Sequence, residues 1–261
     1  MPPSQPLFDP RAAGRPLRVA AFMSGSGTNI RRLLERKTDL YEIVFIFSDN
    51  ASDECQGQRI AREYGLPYFA HDIRRFHELR GLKRTVGAPR GLAARREYDQ
   101  TAARLVKAFG ADLIALGGYM SFLTLSGGVN VHPADLSIVD HRGRRAFVGD
   151  DAVYDAIAAG RKELRSSTLW IDQGVDSGPL LMVSDPLPVE LPAPLGELKQ
   201  DPARLREVAD RRQERLKEAG DWVIFPLTIE LIAAGRLGIT DQGVAALDGR
   251  PYPQGVRPAD L

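Results

Sequence analysis

A single cysteine, Cys55, stands in the whole sequence, so no internal disulfide can form and a small disulfide-stapled secreted domain is excluded. No apolar stretch is long enough to span a bilayer. The first eighteen residues carry Asp9, Arg11 and Arg15 among prolines and lack the apolar core of a signal peptide. An excess of one charge is also missing. Lys+Arg number 35 and Asp+Glu 34, for a formal net charge of +1, which favours neither nucleic acid nor a membrane as partner. His132 and the acids after it show no HxH or HExxH spacing, so no metal is expected. No serine sits in a nucleophile elbow, and Cys55 follows an acidic pair, not a basic site. What remains is a chain of ordinary composition, 43% hydrophobic and 26% charged over 261 residues. That is enough for one large α/β domain or two small ones, and the expected compartment is the cytoplasm.

Strands alternate with helices from residue 17 onward. Leu17–Met23 reads as a strand, Ser24–Asn29 as a glycine-rich turn, and Ile30, Leu33 and Leu34 as the buried face of a helix. A strand at Glu42–Phe47, a helix at Gln56–Tyr64 stopped by Gly65, and a short strand at Leu66–Ala70 follow. Residues 71–96, with eight arginines and lysines among glycines, break the rhythm and read as a mobile basic excursion. The alternation resumes with a helix at Tyr98–Phe109 and strands at Asp112–Gly117 and Val129–His132. Beyond them lie a helix at Ala152–Ala159 and strands at Ser167–Ile171 and Leu180–Val183. A charged helix at Asp201–Glu218, a last helix at Pro226–Ala234 and an irregular tail close the chain. This pattern predicts a doubly wound, Rossmann-like α/β domain over 17–261 with a mainly parallel sheet. A flexible tail is expected over 1–16 and a small helical extension over about 197–261.

Three places could carry chemistry. The turn Gly25-Ser26-Gly27-Thr28-Asn29 lies between a strand and a helix. There, unpaired N–H groups and the helix dipole suit a phosphate. It lacks the third spaced glycine of a dinucleotide fingerprint and the lysine of a Walker loop. Asn130 and His132 are two apart on a strand and project together at its end. Asn is an oriented donor for an oxyanion, and His suits proton transfer near neutral pH. Asp176 lies in the Gly- and Asp-rich segment 172–179. It acts on His132 only if the fold brings the two together, and the segment also reads as a plain hairpin loop.

These motifs, in this order, resemble the glycinamide ribonucleotide formyltransferase family over most of residues 18–260. Ser24–Asn29 resembles that family's phosphate loop, and Phe47-Ser48-Asp49-Asn50 the end of its second strand. Leu116-Gly117-Gly118-Tyr119-Met120 is similar to its folate-lining segment, and Asn130-Val131-His132-Pro133 and Asp176-Ser177-Gly178-Pro179 to its catalytic motifs. The resemblance implies Asn130, His132 and Asp176 as the catalytic set, and 10-formyltetrahydrofolate as co-substrate. The acceptor's phosphate would be held by Gly25, Ser26, Gly27, Thr28 and Asn29. Asp221 stands where the family has a Glu that meets the acceptor. Folate would be held by Arg95, Met120, Ser121, Phe122 and Leu123, and by Asp172, Gln173, Gly174 and Val175. No metal, nucleic acid or membrane is implied, and the chain would act as a monomer or homodimer.

The sequence departs from the family at four points. Leu169 stands where the family has a His, residues 136–147 form an arginine-rich piece, the segment between Leu123 and Asn130 is short, and the basic excursion is long. Other readings therefore stay open: formyl transfer to another amine such as an amino sugar nucleotide, hydrolysis of the formyl folate, or a folate- or phosphate-binding protein without turnover. In the expected mechanism Asn130 donates to the oxyanion, and Asp176 keeps His132 charged for proton transfer.

Overall fold

The computed structural model describes residues 4–172 and 174–261. Its centre is a seven-stranded sheet. The spatial order is Tyr68–Ala70, Tyr41–Ser48, Leu17–Met23, Leu113–Leu116, Gly128–His132, Ser167–Trp170 and Leu180–Val183. The first five strands are parallel, and Ser167–Trp170 runs antiparallel to both of its neighbours, Gly128–His132 and Leu180–Val183. This is the doubly wound, mainly parallel α/β fold that the alternation predicts.

The strand Leu17–Met23 shows why both faces are covered. Val19, Ala21 and Met23 pack with Ile30 and Leu33 of the helix Thr28–Glu35, Ile60 of Gly57–Tyr64, and Phe225, Ile229 and Ile232 of Trp222–Ala233. Ala20 and Phe22 face the other way, onto Phe45, Phe47 and Ala102, with Leu105, Val106 and Phe109 against them. Alternate side chains of a strand point to opposite faces, so an unbroken apolar run can serve two helical layers at once. The chain winds outward from Leu17–Met23 to Tyr68–Ala70, then returns to Leu113–Leu116 on the other side. The carboxyl ends of Leu17–Met23 and Leu113–Leu116 therefore flank a topological switch point, where open α/β sheets form their ligand crevice.

Residues 4–16 depart from the expected free tail. Ser4–Pro6 pairs antiparallel with Leu237–Thr240. Asp9 caps the short helix Pro10–Ala13, accepting from the Arg11 and Ala12 amides at 2.9 and 3.2 Å. Arg15 meets Asp112 at 2.6 Å, and Phe8 is buried. Three residues are too few to show a strand period, which is why composition alone misled. Only residues 1–3 of that tail lie outside the described residues. The C-terminal extension is likewise not all helical. Leu237–Thr240, Ala245–Leu247 and Arg250–Pro251 complete a four-stranded sheet with the N-terminal strand.

The basic excursion is folded as well. Asp72 caps the helix Ile73–Glu78 through the Arg75 amide at 2.8 Å. The next helix begins at Pro89, not Tyr98, and runs to Ala108. Ile73, Phe76, Ala94 and Tyr98 form a small core of their own. The arginines obscured this apolar set, because a charge run says nothing about the residues between the charges. The last helix likewise starts at Trp222, not Pro226, because a π turn over Lys217–Asp221 joins it to the helix Pro202–Leu216. Among the described residues no helix is long and apolar enough to cross a membrane.

Candidate active site

A cavity of about 620 Å³ opens at the switch point. Its floor is the glycine turn that follows Leu17–Met23. Gly27 caps the helix Thr28–Glu35 in a left-handed conformation, φ 66°. A Cβ there would come within 2.6 Å of Met23 Cε and 2.7 Å of Ile60 Cδ1. Gly27→Ala is therefore expected to destabilise the fold by about 1–3 kcal/mol, read from denaturant unfolding. A binding experiment on that variant alone would confuse folding with phosphate recognition.

Asn130 and His132 reach the cavity from the end of the strand Gly128–His132, and Asp176 meets them from the loop after Ser167–Trp170. The Asp176 carboxylate lies 3.6 Å from His132 Nδ1 and 3.5 Å from Asn130 Nδ2. The Gly149 amide donates to it at 3.1 Å. His132 Nε2 is buried without a protein partner, which leaves it for a ligand. Burial pushes the His132 imidazole below its ordinary value, and the Asp176 carboxylate and Phe147 carbonyl only partly offset this. That downward push favours the neutral imidazole in the free protein, whereas the expectation was that Asp176 keeps the ring charged. Desolvation wins because the site is closed around the ring.

The other expected residues divide. Gly25, Ser26, Gly27, Thr28, Asn29 and Asp221 all line the cavity. Asn29 Nδ2 donates to Asp221 at 3.3 Å, and Ser166 donates to the other carboxylate oxygen. Burial pushes the Asp221 carboxyl up to about 6, against those two hydrogen bonds. Met120, Ser121, Phe122, Leu123, Asp172, Gly174 and Val175 form the opposite wall. Asp172 uses one carboxylate oxygen to fold its own loop, accepting from the Gly174 amide at 2.9 Å and Ser177 Oγ at 2.8 Å. Gln173 lies outside the described residues. Arg95 is a correction. It does not line the cavity. It is 2% exposed and ion-paired at 2.8 Å with Asp99, behind Tyr119.

Sequence reasoning missed several lining residues. Asp49 accepts from Ser24 Oγ at 2.6 Å and from Ser121 Oγ. Ser24 in turn accepts from the Met120 amide at 2.8 Å. Together they tie the carboxyl ends of Tyr41–Ser48, Leu17–Met23 and Leu113–Leu116 to one another. Asp49 stands directly after a predicted strand, and the strand-end rule applied there would have found it. Arg74, Arg84 and Lys217 add cations to the rim, so part of the basic excursion does face the cavity. Leu169 forms an apolar patch of its wall. Among the described residues no cluster of three His, Cys, Asp or Glu side chains is set to hold a metal.

A doubly wound sheet with donor and titratable side chains converging on its switch-point crevice is the build of a small-molecule enzyme. Residues 17–200 match the family described as formyl transferase, and the chain belongs to that family. Phosphoribosylglycinamide formyltransferase of Mycobacterium tuberculosis strain H37Rv is 29% identical over 194 residues, 71% of this chain and 76% of the relative. The trifunctional purine biosynthetic protein adenosine-3 of Gallus gallus is 24% identical over 87% of this chain, which spans only 19% of that protein's length. The structure of phosphoribosylglycinamide formyltransferase from Anaplasma phagocytophilum shares the fold, with a TM-score of 0.66 and 22% identity over 94% of this chain and 100% of that one.

Proposed function

We propose that this chain moves the formyl group of 10-formyltetrahydrofolate to the amine of glycinamide ribonucleotide, a step of purine biosynthesis in the cytoplasm. One observation carries this reading: Asn130, His132 and Asp176 share a single cavity with a phosphate-type glycine turn. The turn at Gly25–Asn29 takes the acceptor's phosphate on backbone N–H groups. The apolar wall of Met120, Phe122, Leu123 and Val175 suits a flat ring system, with polar atoms of Asp49 and the loop after Trp170 at its edge.

The acceptor amine attacks the formyl carbon and a tetrahedral oxyanion forms. Asn130 Nδ2 donates one hydrogen toward Asp176 at 3.5 Å and its other to that oxyanion. Neutral His132 accepts a proton from the attacking nitrogen at Nε2. It becomes an imidazolium beside Asp176 and returns the proton to the departing folate nitrogen. Asp176 orients the ring and stabilises its charged form, so it acts mainly in the transition state. No residue of the chain is covalently altered.

Because burial lowers the His132 pKa and the neutral ring is the active form, kcat/KM is expected to hold as pH falls to 6.5 and to drop only below it. Asp176 holds the pKa up, so Asp176→Asn should move that acidic limb lower still. A pH–rate profile of both proteins checks the sign, and a limb above 6.5 in the parent would contradict a neutral resting imidazole. The reading as a whole is tested by tetrahydrofolate release with glycinamide ribonucleotide, amino sugar nucleotides, and no acceptor. Turnover in the common range of roughly 1–1000 per second with the ribonucleotide alone supports it. Faster turnover with a sugar nucleotide or with water moves the activity to that acceptor.

A further inference from the structure

The arginine-rich piece 136–147 has no counterpart in the motifs that identify the family, yet it folds against the catalytic loop. It is a small hairpin. The Ala146 amide donates to the Ile138 carbonyl at 3.0 Å, Val139 bridges to Arg145, and the Asp140 side chain caps the turn through the Arg142 and Arg144 amides at 2.8 and 2.9 Å. Leu136 and Phe147 anchor its two ends in a buried apolar cluster with Val153, Ile157, Leu198 and Leu205. Arg142 and Arg144 stay exposed. Arg145 turns inward, and its two terminal nitrogens donate to two backbone carbonyls, Asp176 O and Gly178 O, the latter at 2.6 Å.

The first of those carbonyls belongs to a strained residue. Asp176 has φ 49°, in the left-handed region that a non-glycine residue seldom adopts. The chain then turns so tightly that a Cβ on Gly178 would stand 1.9 Å from the Trp170 carbonyl oxygen. Left-handed backbone of this kind persists only where surrounding contacts over-determine it. The hairpin supplies Arg145 on the backbone, and the Gly149 amide just beyond it donates to the carboxylate at 3.1 Å.

We propose that Arg145 is a positioning residue for the transfer reaction, a two-pronged clamp that fixes the backbone of Asp176 so that its carboxylate faces both His132 and Asn130. It is not among the residues that line the cavity. A planar guanidinium can bridge two carbonyls at once, and an ammonium is a point donor that cannot reproduce that fork. A lysine at 145 would keep the positive charge, which also bears on His132, and would lose only the fork. The inference rests on the catalytic reading of Asp176 given above.

The test uses the full chain with Arg145→Lys, Arg145→Ala, Asp176→Asn and the double variant Arg145→Lys/Asp176→Asn. Misplacing a catalytic group by about 1 Å costs on the order of 100-fold. Arg145→Lys should accordingly lower kcat by about 10–100-fold, with KM for both substrates nearly unchanged. In the Asp176→Asn background it should cost little more, because the clamp acts only through that carboxylate. Wild-type activity in Arg145→Lys, or losses that multiply in the double variant, would overturn the proposal. Amide hydrogen exchange across residues 174–178 is the second readout. Faster exchange confined to that loop in Arg145→Lys is expected, and unchanged exchange would overturn the clamp even if Arg145→Ala fails to fold. Absence of formyl transfer by the parent protein with every acceptor would instead sink the functional reading, and the exchange result would still decide whether Arg145 holds the loop.

Discussion

His132→Ala is expected to lower kcat by about 100–10,000-fold while folate still binds, because the ring's Nε2 is the atom left free for the reaction and the folate wall lies on other elements. Asn130→Ala should lose about 100–1000-fold, the usual cost of one oxyanion donor. Asp176→Asn should lose on a similar scale. Its carboxylate faces both partners, at 3.6 and 3.5 Å, and an amide there stabilises an imidazolium far less. The three groups act on one transition state. The pair His132→Ala with Asp176→Asn should therefore lose much less than the product of the single losses. Single-turnover kinetics with separate folate titrations check this. A fully active single variant, or strictly multiplicative losses, would remove these residues from the chemistry.

The part of this arrangement that was legible in the sequence is the part governed by short periods. A strand of seven residues, Leu17–Met23, followed at once by a glycine turn and a helical period announces a βα unit and its crevice. Asn130 and His132 two apart on a strand announce a shared edge of that crevice. The contact of Asp176 with His132 lies 44 positions along the chain, and only the family resemblance pointed to it. Charge was the poorer guide. Arg95 carries a full charge and looked like a ligand contact, yet it lies 2% exposed against Asp99. Nothing in the sequence set Arg145 apart from the other arginines of the piece 136–147. Sequence reveals that a side chain is charged, but not whether a carboxylate or a pair of carbonyls waits for it across the fold. The downward push on the His132 imidazole was hidden for the same reason, since desolvation depends on everything packed around the ring.

Asp99→Ala is expected to destabilise the fold by about 3–5 kcal/mol, the usual cost of stripping the partner from a buried charge. Asp99 is 0% exposed and Arg95 2%, so neither charge can turn to water. The carboxylate also accepts from the Thr124 amide at 2.8 Å and from Thr124 Oγ1 at 2.7 Å, and Arg95 donates to the Tyr119 hydroxyl at 3.0 Å. The pair thus ties the helix Pro89–Ala108 to both ends of the segment 119–124 that walls the cavity. Chemical denaturation should show the loss as a lower midpoint. The companion variant Arg95→Met/Asp99→Leu separates the two roles open to Arg95. Removing both charges leaves none uncompensated, and apolar replacements of similar volume are often neutral or stabilising. That protein should recover most of the stability lost in Asp99→Ala. Because Arg95 stands behind Tyr119 and not in the cavity, it should also bind folate nearly as well as the parent. A double variant that is stable but no longer binds folate would show that Arg95 reaches the ligand after all, through a rearrangement of the 119–124 wall on binding.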